Sequence, residues 1–258
     1  MYAEKNAASA ITFTYLGGPS GVLEYGGLRF LIDPTFDEPQ TYADDDGDTP
    51  LVKTHGPALQ PGDIGQIDVV LASHHEHSDN LDAGGAEYAM SVPLVLSTPK
   101  AGDDLGTPWA GMADWSQRSV GLVDITAVPA LHGPPGFEDI VGPVIGFILQ
   151  APTLPTVYVS GDNASLEKVR EIADRYAPVG VAILFAGAAR VPELDAALTL
   201  TSPDAAEAAR ILQAGKVVGV HTEDWEHFSE SRADLEAAFD SLPGVLVDTP
   251  RGETVELG

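Results

Sequence analysis

The sequence contains no cysteine among its 258 residues. This absence excludes disulfide bonds and thiolate ligands, so any metal site must be built from histidine and carboxylate side chains. No apolar run approaches the roughly 18 residues of a membrane-spanning helix. Because the N-terminus also lacks the basic start and apolar stretch of a signal peptide, we expect a cytoplasmic protein.

Basic residues are scarce. The chain has 13 lysines and arginines against 39 aspartates and glutamates, a formal net charge of −26. Such a field repels nucleic acid and anionic membranes, so we expect neither as a partner and expect a small-molecule substrate instead. The densest acidic run, residues 44–48, lacks the spacing of an EF-hand loop and is predicted to be a loosely ordered loop.

Residues 73–80, Ser-His-His-Glu-His-Ser-Asp-Asn, follow the apolar run 69–72 and form the most informative segment. His75 and His77 are two residues apart, with the Asp79 carboxylate one step beyond, which is typical of a transition-metal site. His74 would replace His75 if the turn had a different register. Side-chain alternation in an extended chain favours the pair His75 and His77.

Three further candidates, His132, Asp162 and His221, each follow an apolar segment with strand character. In open α/β architectures sites form outside the carboxyl ends of strands, so these side chains are expected to meet the histidine segment. The alternatives are a solvent-facing loop histidine for His132, a helix cap for Asp162 and a core histidine for His221.

Together these segments resemble the metallo-β-lactamase-fold hydrolases, and most closely the branch of ascorbate-6-phosphate lactonase-like proteins. Segments 28–34, ending in Asp-Pro, 160–162, Ser-Gly-Asp, and 225–228, Trp-Glu-His-Phe, also match, so that the resemblance covers roughly residues 11–230. It implies an α/β fold, a four-layer αββα sandwich of two mixed β-sheets with helices outside. Because neither half of the chain holds the whole ligand set, we predict a single hydrolase domain over residues 1–258.

The resemblance also implies a site. The implied metal ligands are His75, His77, Asp79, His132, Asp162 and His221. Asp79 and Asp162 would also be catalytic. The residues expected to support these ligands or to contact substrate are Asp33, His74, Asn80 and His227. For His227, a surface pair with Glu226 at the start of a helix is the favoured alternative.

Asn80 departs from the family pattern, which has a histidine there. An amide oxygen is a poorer zinc ligand than imidazole, so we expect one tightly bound Zn²⁺ and a doubtful second site, with Mn²⁺ or Fe²⁺ as alternatives. The expected activity is cleavage of a small ester, lactone or phosphoester by a metal-bound hydroxide. A phosphorylated substrate would need a basic anchor such as Lys53, Lys100 or Arg190. The alternative is a partly decayed, non-hydrolytic metal- or ligand-binding protein.

The hydrophobic pattern predicts a hairpin at Gly26 and Gly27 and an irregular excursion over residues 34–62. Strands are predicted at 11–16, 22–25, 28–32, 67–72, 93–97, 122–128, 156–160, 180–185 and 216–220. Helices are predicted at 166–176, 203–213 and 231–242, and a helix or turn near 82–90.

Overall fold

The computed structural model describes residues 10–43, 50–192 and 194–258. The acidic run 44–48 lies outside the described residues. The strands are β1 (Thr12–Gly17), β2 (Ser20–Tyr25), β3 (Leu28–Ile32), β4 (Gln40–Tyr42), β5 (Leu51–Lys53), β6 (Val69–Leu71), β7 (Val95–Ser97), β8 (Trp109–Gly111), β9 (Gln117–Val120), β10 (Val123–Pro129), β11 (Ile145–Gln150), β12 (Val157–Val159), β13 (Val181–Phe185), β14 (Lys216–Val220) and β15 (Thr254–Glu256).

The helices are α1 (Ala83–Ala89), α2 (Pro99–Leu105), α3 (Glu138–Val141), α4 (Leu166–Tyr176), α5 (Ser202–Ile211) and α6 (Arg232–Ala238), followed by a 3-10 turn at Phe239–Ser241. Side-chain caps fix several helix starts. Asp82 accepts from the Gly85 amide at α1, and Thr201 accepts from the Asp204 amide at α5. The helix predicted from residue 203 therefore begins at Ser202, and its cap is Thr201 because that hydroxyl reaches the free amide.

The strands form two large sheets. One has the order β15-β1-β2-β3-β6-β7-β8 and the other the order β14-β13-β12-β11-β10-β9, while β4 and β5 pair separately. Both large sheets are mixed, since β3 and β6 are parallel in the first and β12, β13 and β14 are parallel in the second.

Side-chain alternation along the strands divides the core into layers. In β11, Phe147 and Leu149 join the cluster between the two sheets, whereas Ile148 faces the outer cluster together with Val169 and Ile172 of α4. The other sheet buries its outer face in the same way against α1 and α2. Two sheets with helices outside are the αββα sandwich, so the predicted fold class is confirmed.

The direction of the strands places the functional segments at one edge. β10 and β12 are both antiparallel to β11 and therefore run the same way, and β12 is parallel to β13 and β13 to β14. The carboxyl ends of β10, β12 and β14 thus lie at the same edge of their sheet. His132, Asp162 and His221 follow those three ends.

Several elements were not predicted from the sequence. The excursion 34–62 contains the β4–β5 hairpin, and the glycine-rich stretch after residue 102 contains part of α2 and β8. Strands β9, β11 and β15 and helix α3 were also missed. Within the described ranges, no helix combines the length and the apolar character needed to cross a membrane.

Candidate metal centre

The loop after β6 is fastened to the first sheet by Asp33. This buried carboxylate accepts hydrogen bonds from the Ser73 amide at 2.6 Å and from the Ser73 hydroxyl at 2.7 Å. The Ser73 oxygen lies 2.9 Å from His74 Nδ1. Because the Ser73 hydroxyl proton is given to Asp33, His74 must donate through Nδ1, which leaves a lone pair on His74 Nε2.

Three imidazole nitrogens converge at this point. His77 Nδ1 lies 3.0 Å from His74 Nε2 and 3.1 Å from His132 Nε2. The other nitrogen of His132, Nδ1, lies 2.8 Å from the Leu198 carbonyl oxygen and donates to it, so its Nε2 also carries a lone pair. Two ligand atoms on a tetrahedral ion at about 2.0 Å are separated by roughly 3.3 Å, so the three nitrogens fit one Zn²⁺-sized cation.

The structure places His74, rather than His75, beside His77 and His132. His74, His77 and His132 form the cluster, whereas His75 Nε2 lies 3.1 Å from Asp104 Oδ2 on the outer side. The chain bends at His75 and Glu76, and β6 has already ended at Leu71. Strand alternation does not apply to a bent segment, and residues three apart then reach the same side.

A second group of donor atoms adjoins the histidine cluster. Asp79, Asp162 and His221 place one ligand atom each within 4.8 Å of one another, and all three side chains are buried. His221 Nε2 lies 3.3 Å from Asp79 Oδ2 and 3.5 Å from Asp162 Oδ1. Asp162 Oδ2 lies 3.7 Å from His132 Nε2 and has no hydrogen-bond partner. Asp162 therefore lies between the two groups.

Asn80 does not contribute a metal-ligand atom to either group. Its side-chain nitrogen donates to Asp33 Oδ2 at 3.0 Å and to Asp162 Oδ1 at 3.1 Å. Two carboxylates require the NH₂ group between them, which fixes the orientation of the amide. Asn80 thus links the carboxylate that fastens the loop to the carboxylate that lies between the two groups.

The turn that carries Asp162 packs closely against the histidine loop, and a glycine makes this close approach possible. A Cβ at Gly161, where φ is +56°, would lie 2.6 Å from the Ile145 carbonyl oxygen and 2.7 Å from Ser73 Cβ. Only glycine lets the Asp162 turn approach the histidine loop this closely. His221 has φ of +61°, a left-handed conformation that costs a residue with a Cβ about 1 kcal/mol or more. Such strain is typical of functional positions.

Burial sets the protonation of the site. It lowers the pKa of His77 to about 4 and also lowers the pKa of His74 and His132, so the three imidazoles are neutral near pH 7. Burial raises the pKa of Asp33 and Asp162 to about 7.

The pKa of Asp79 moves the other way. Burial raises it, but the contacts with His227 and His221 outweigh burial and lower the pKa of Asp79 well below its ordinary value. Among the described residues, no lysine or arginine forms an ion pair with Asp33, Asp79 or Asp162. Three buried carboxylates without a cationic side chain are a strong reason to expect bound cations.

A pocket of about 370 Å³ opens onto both groups. His77, Asp79 and His132 line it, together with His227, whose Nε2 donates to Asp79 Oδ2 at 2.9 Å. His227 therefore lies in the pocket wall and not in a surface pair. Sequence reasoning missed the Leu198 carbonyl that orients His132, because a backbone acceptor 66 residues away leaves no signal in the sequence.

Comparisons with known proteins find relatives and solved structures that match nearly the whole chain. A metal-dependent hydrolase from Pyrococcus furiosus is 22% identical over 251 residues, covering 96% of this chain and 100% of its own length. A structure described as a possible metal-dependent hydrolase from Veillonella parvula has a TM-score of 0.84 at 20% identity, covering 96% of this chain and 100% of that one. The isothiocyanate hydrolase from Delia radicum gut bacteria has a TM-score of 0.81 at 20% identity, with the same coverage. The model of the beta-lactamase superfamily domain matches residues 28–222, and the chain belongs to that family.

Proposed function

We propose that this protein is a zinc-dependent hydrolase that cleaves a small ester, lactone or phosphoester. The observation that carries the proposal is the convergence of three imidazole nitrogens, with His77 Nδ1 lying 3.0 Å from His74 Nε2 and 3.1 Å from His132 Nε2. The lone pairs on His74 Nε2 and His132 Nε2 are fixed by the second nitrogen of each ring. Without a cation these two lone pairs share at most one proton, on His77 Nδ1, whereas a cation accepts all three nitrogens at once. His74, His77 and His132 are therefore the proposed holders of the first ion.

The second proposed site consists of Asp79, Asp162 and His221. Two carboxylates and one imidazole suit Zn²⁺ and also the harder ions Mn²⁺ and Fe²⁺. Since Asn80 supplies no ligand and its amide takes one oxygen of Asp162, we propose that this site binds its ion more weakly than the histidine site. The expectation of one tight ion stays a prediction.

The bound ions would activate a water molecule as nucleophile and polarise the bond to be cleaved. The chain's own residues would hold that geometry in place. Ser73 and the Leu198 carbonyl fix the rings of His74 and His132, and the His227 proton on Nε2 fixes one oxygen of Asp79. Such partners of the ligands restrict ring orientation and favour the ligating tautomer.

The names of similar proteins support the reaction class. The Pyrococcus furiosus relative is named a metal-dependent hydrolase, and the Delia radicum structure is that of an isothiocyanate hydrolase, which acts on a small molecule. The lactonase-like branch suggested by the sequence remains part of this proposal. We also propose one domain over the whole chain, because Asp33 of the first sheet and Asp162 of the second meet at Asn80.

The test compares metal-depleted protein with protein reloaded with Zn²⁺, on a panel of esters, thioesters, lactones, β-lactams, phosphodiesters and isothiocyanates. We expect turnover only after reloading. Asp162→Asn should lose that turnover by about 10²-fold or more, since it removes one of two charges that hold the ions. Asp174→Asn, the same change on an exposed face of α4, is the matched control. Metal binding without turnover of any substrate would favour the non-hydrolytic alternative.

A further inference from the structure

The pocket that opens onto the metal centre has an apolar wall. It includes Leu198 and Val141, which are 6% and 8% exposed, with Ile140 at the mouth, 75% exposed. Leu51 and Val191 complete the apolar part. A cavity of about 370 Å³ is at the small end of the range for ligand sites, so it fits a small molecule with an apolar substituent.

The described lining contains no lysine or arginine. Lys53 is buried elsewhere, 2.8 Å from Asp82 and over the Trp225 ring at 5.6 Å. Lys100 pairs with Asp104 on the surface, and the exposed Arg190 does not line the pocket. None of the three residues considered as phosphate anchors lines the described pocket.

The charges that do line the pocket are negative. Glu76 and Asp79 belong to the lining, and the Glu76 carboxylate lies 3.1 Å from His75 Nδ1. The net charge of the chain, −26, has the same sign. An anionic group on the body of a substrate would lose its hydration and find no countercharge beyond the ions themselves.

We infer that the pocket selects uncharged substrates that carry an apolar group beside the reacting bond and rejects those with a phosphate or carboxylate on that side. This inference rests on the proposed function and narrows it. The phosphoesters expected from the sequence become poor substrates, and esters, lactones or isothiocyanates without further charge become the favoured ones.

A matched pair of hydroxamates tests the inference by binding, without turnover. Hexanohydroxamic acid and the monohydroxamate of adipic acid share one metal-binding head and chain length, but end in a methyl group and a carboxylate. Calorimetry on the Zn²⁺-loaded protein should show the carboxylate compound binding about tenfold more weakly or worse. Equal or tighter binding of the carboxylate compound would overturn the inference, as would the absence of binding by both.

Glu76→Gln provides the residue-level arm, with Glu87→Gln on the exposed face of α1 as the matched control. We expect Glu76→Gln to lower the ratio of the two dissociation constants, carboxylate compound over methyl compound, by about threefold or more. Glu87→Gln should leave this ratio unchanged. An unchanged ratio of dissociation constants in Glu76→Gln would show that the hydroxamates bind outside this pocket and would overturn the inference. If the reloaded protein holds no metal, the proposed function fails, whereas metal binding with a preference for the anionic probe overturns the inference alone.

Discussion

Replacing each of two adjacent histidines separately distinguishes the metal ligand from its neighbour. His74 Nε2 lies 3.0 Å from His77 Nδ1 inside the cluster, while His75 Nε2 faces Asp104 at 3.1 Å. A zinc site with four ligands has a binding free energy of about 10–16 kcal/mol, or roughly 3 kcal/mol per ligand. His74→Ala should therefore weaken the tight site by about 10²-fold or more, since 1.4 kcal/mol is tenfold.

The assay is competition of each purified variant with a chromogenic zinc chelator, after circular dichroism has shown that the variant is folded. His75→Ala should keep an affinity within about threefold of the parent, because its ring nitrogens contact Glu76 and Asp104 and not the cluster. The reasoning is refuted if His75→Ala loses the tight ion and His74→Ala keeps it. Loss in both variants would mean that the whole loop, and not one ring, determines binding.

Asn80→Asp would place a third carboxylate 3.0–3.1 Å from Asp33 and Asp162, and should lower the unfolding free energy of the metal-free protein by about 3 kcal/mol. Urea denaturation checks this, and unchanged stability would contradict the assigned contacts. Ser73→Ala removes the hydroxyl that orients His74 and should weaken zinc binding about 10–100-fold, measured by the same chelator competition, with parent-like affinity as the contrary result. Metal uptake at pH 6 should release protons, because carboxyl groups with a pKa of about 7 are protonated there. Calorimetry in buffers of different ionisation enthalpy should show about one proton fewer for Asp33→Asn, whereas equal release would exclude Asp33 as a source.

The sequence predicted the architecture well because its strands carry long apolar runs and their ends carry the polar residues. His132, Asp162 and His221 were found by that rule, and the structure brings them to one edge. The rule depends only on the direction of the strands. It says nothing about the path of the chain once the strand has ended.

The position of His75 outside the histidine cluster has that origin. Between Leu71 and His77 the chain leaves the sheet and bends, so the alternation of an extended strand was applied to a segment that is not extended. What distinguishes His74 is its contact with Ser73 and, through it, with Asp33, 40 residues earlier in the chain. Partners so far apart along the chain become visible only in the folded structure.

Anomalous diffraction from crystals of the protein soaked with Zn²⁺, recorded on both sides of the zinc absorption edge, tests the central claim most directly. The account predicts a strong peak bounded by His74, His77 and His132, and a weaker one bounded by Asp79, Asp162 and His221. Zinc found at His75 and Asp104 with none at the three buried histidines would contradict it.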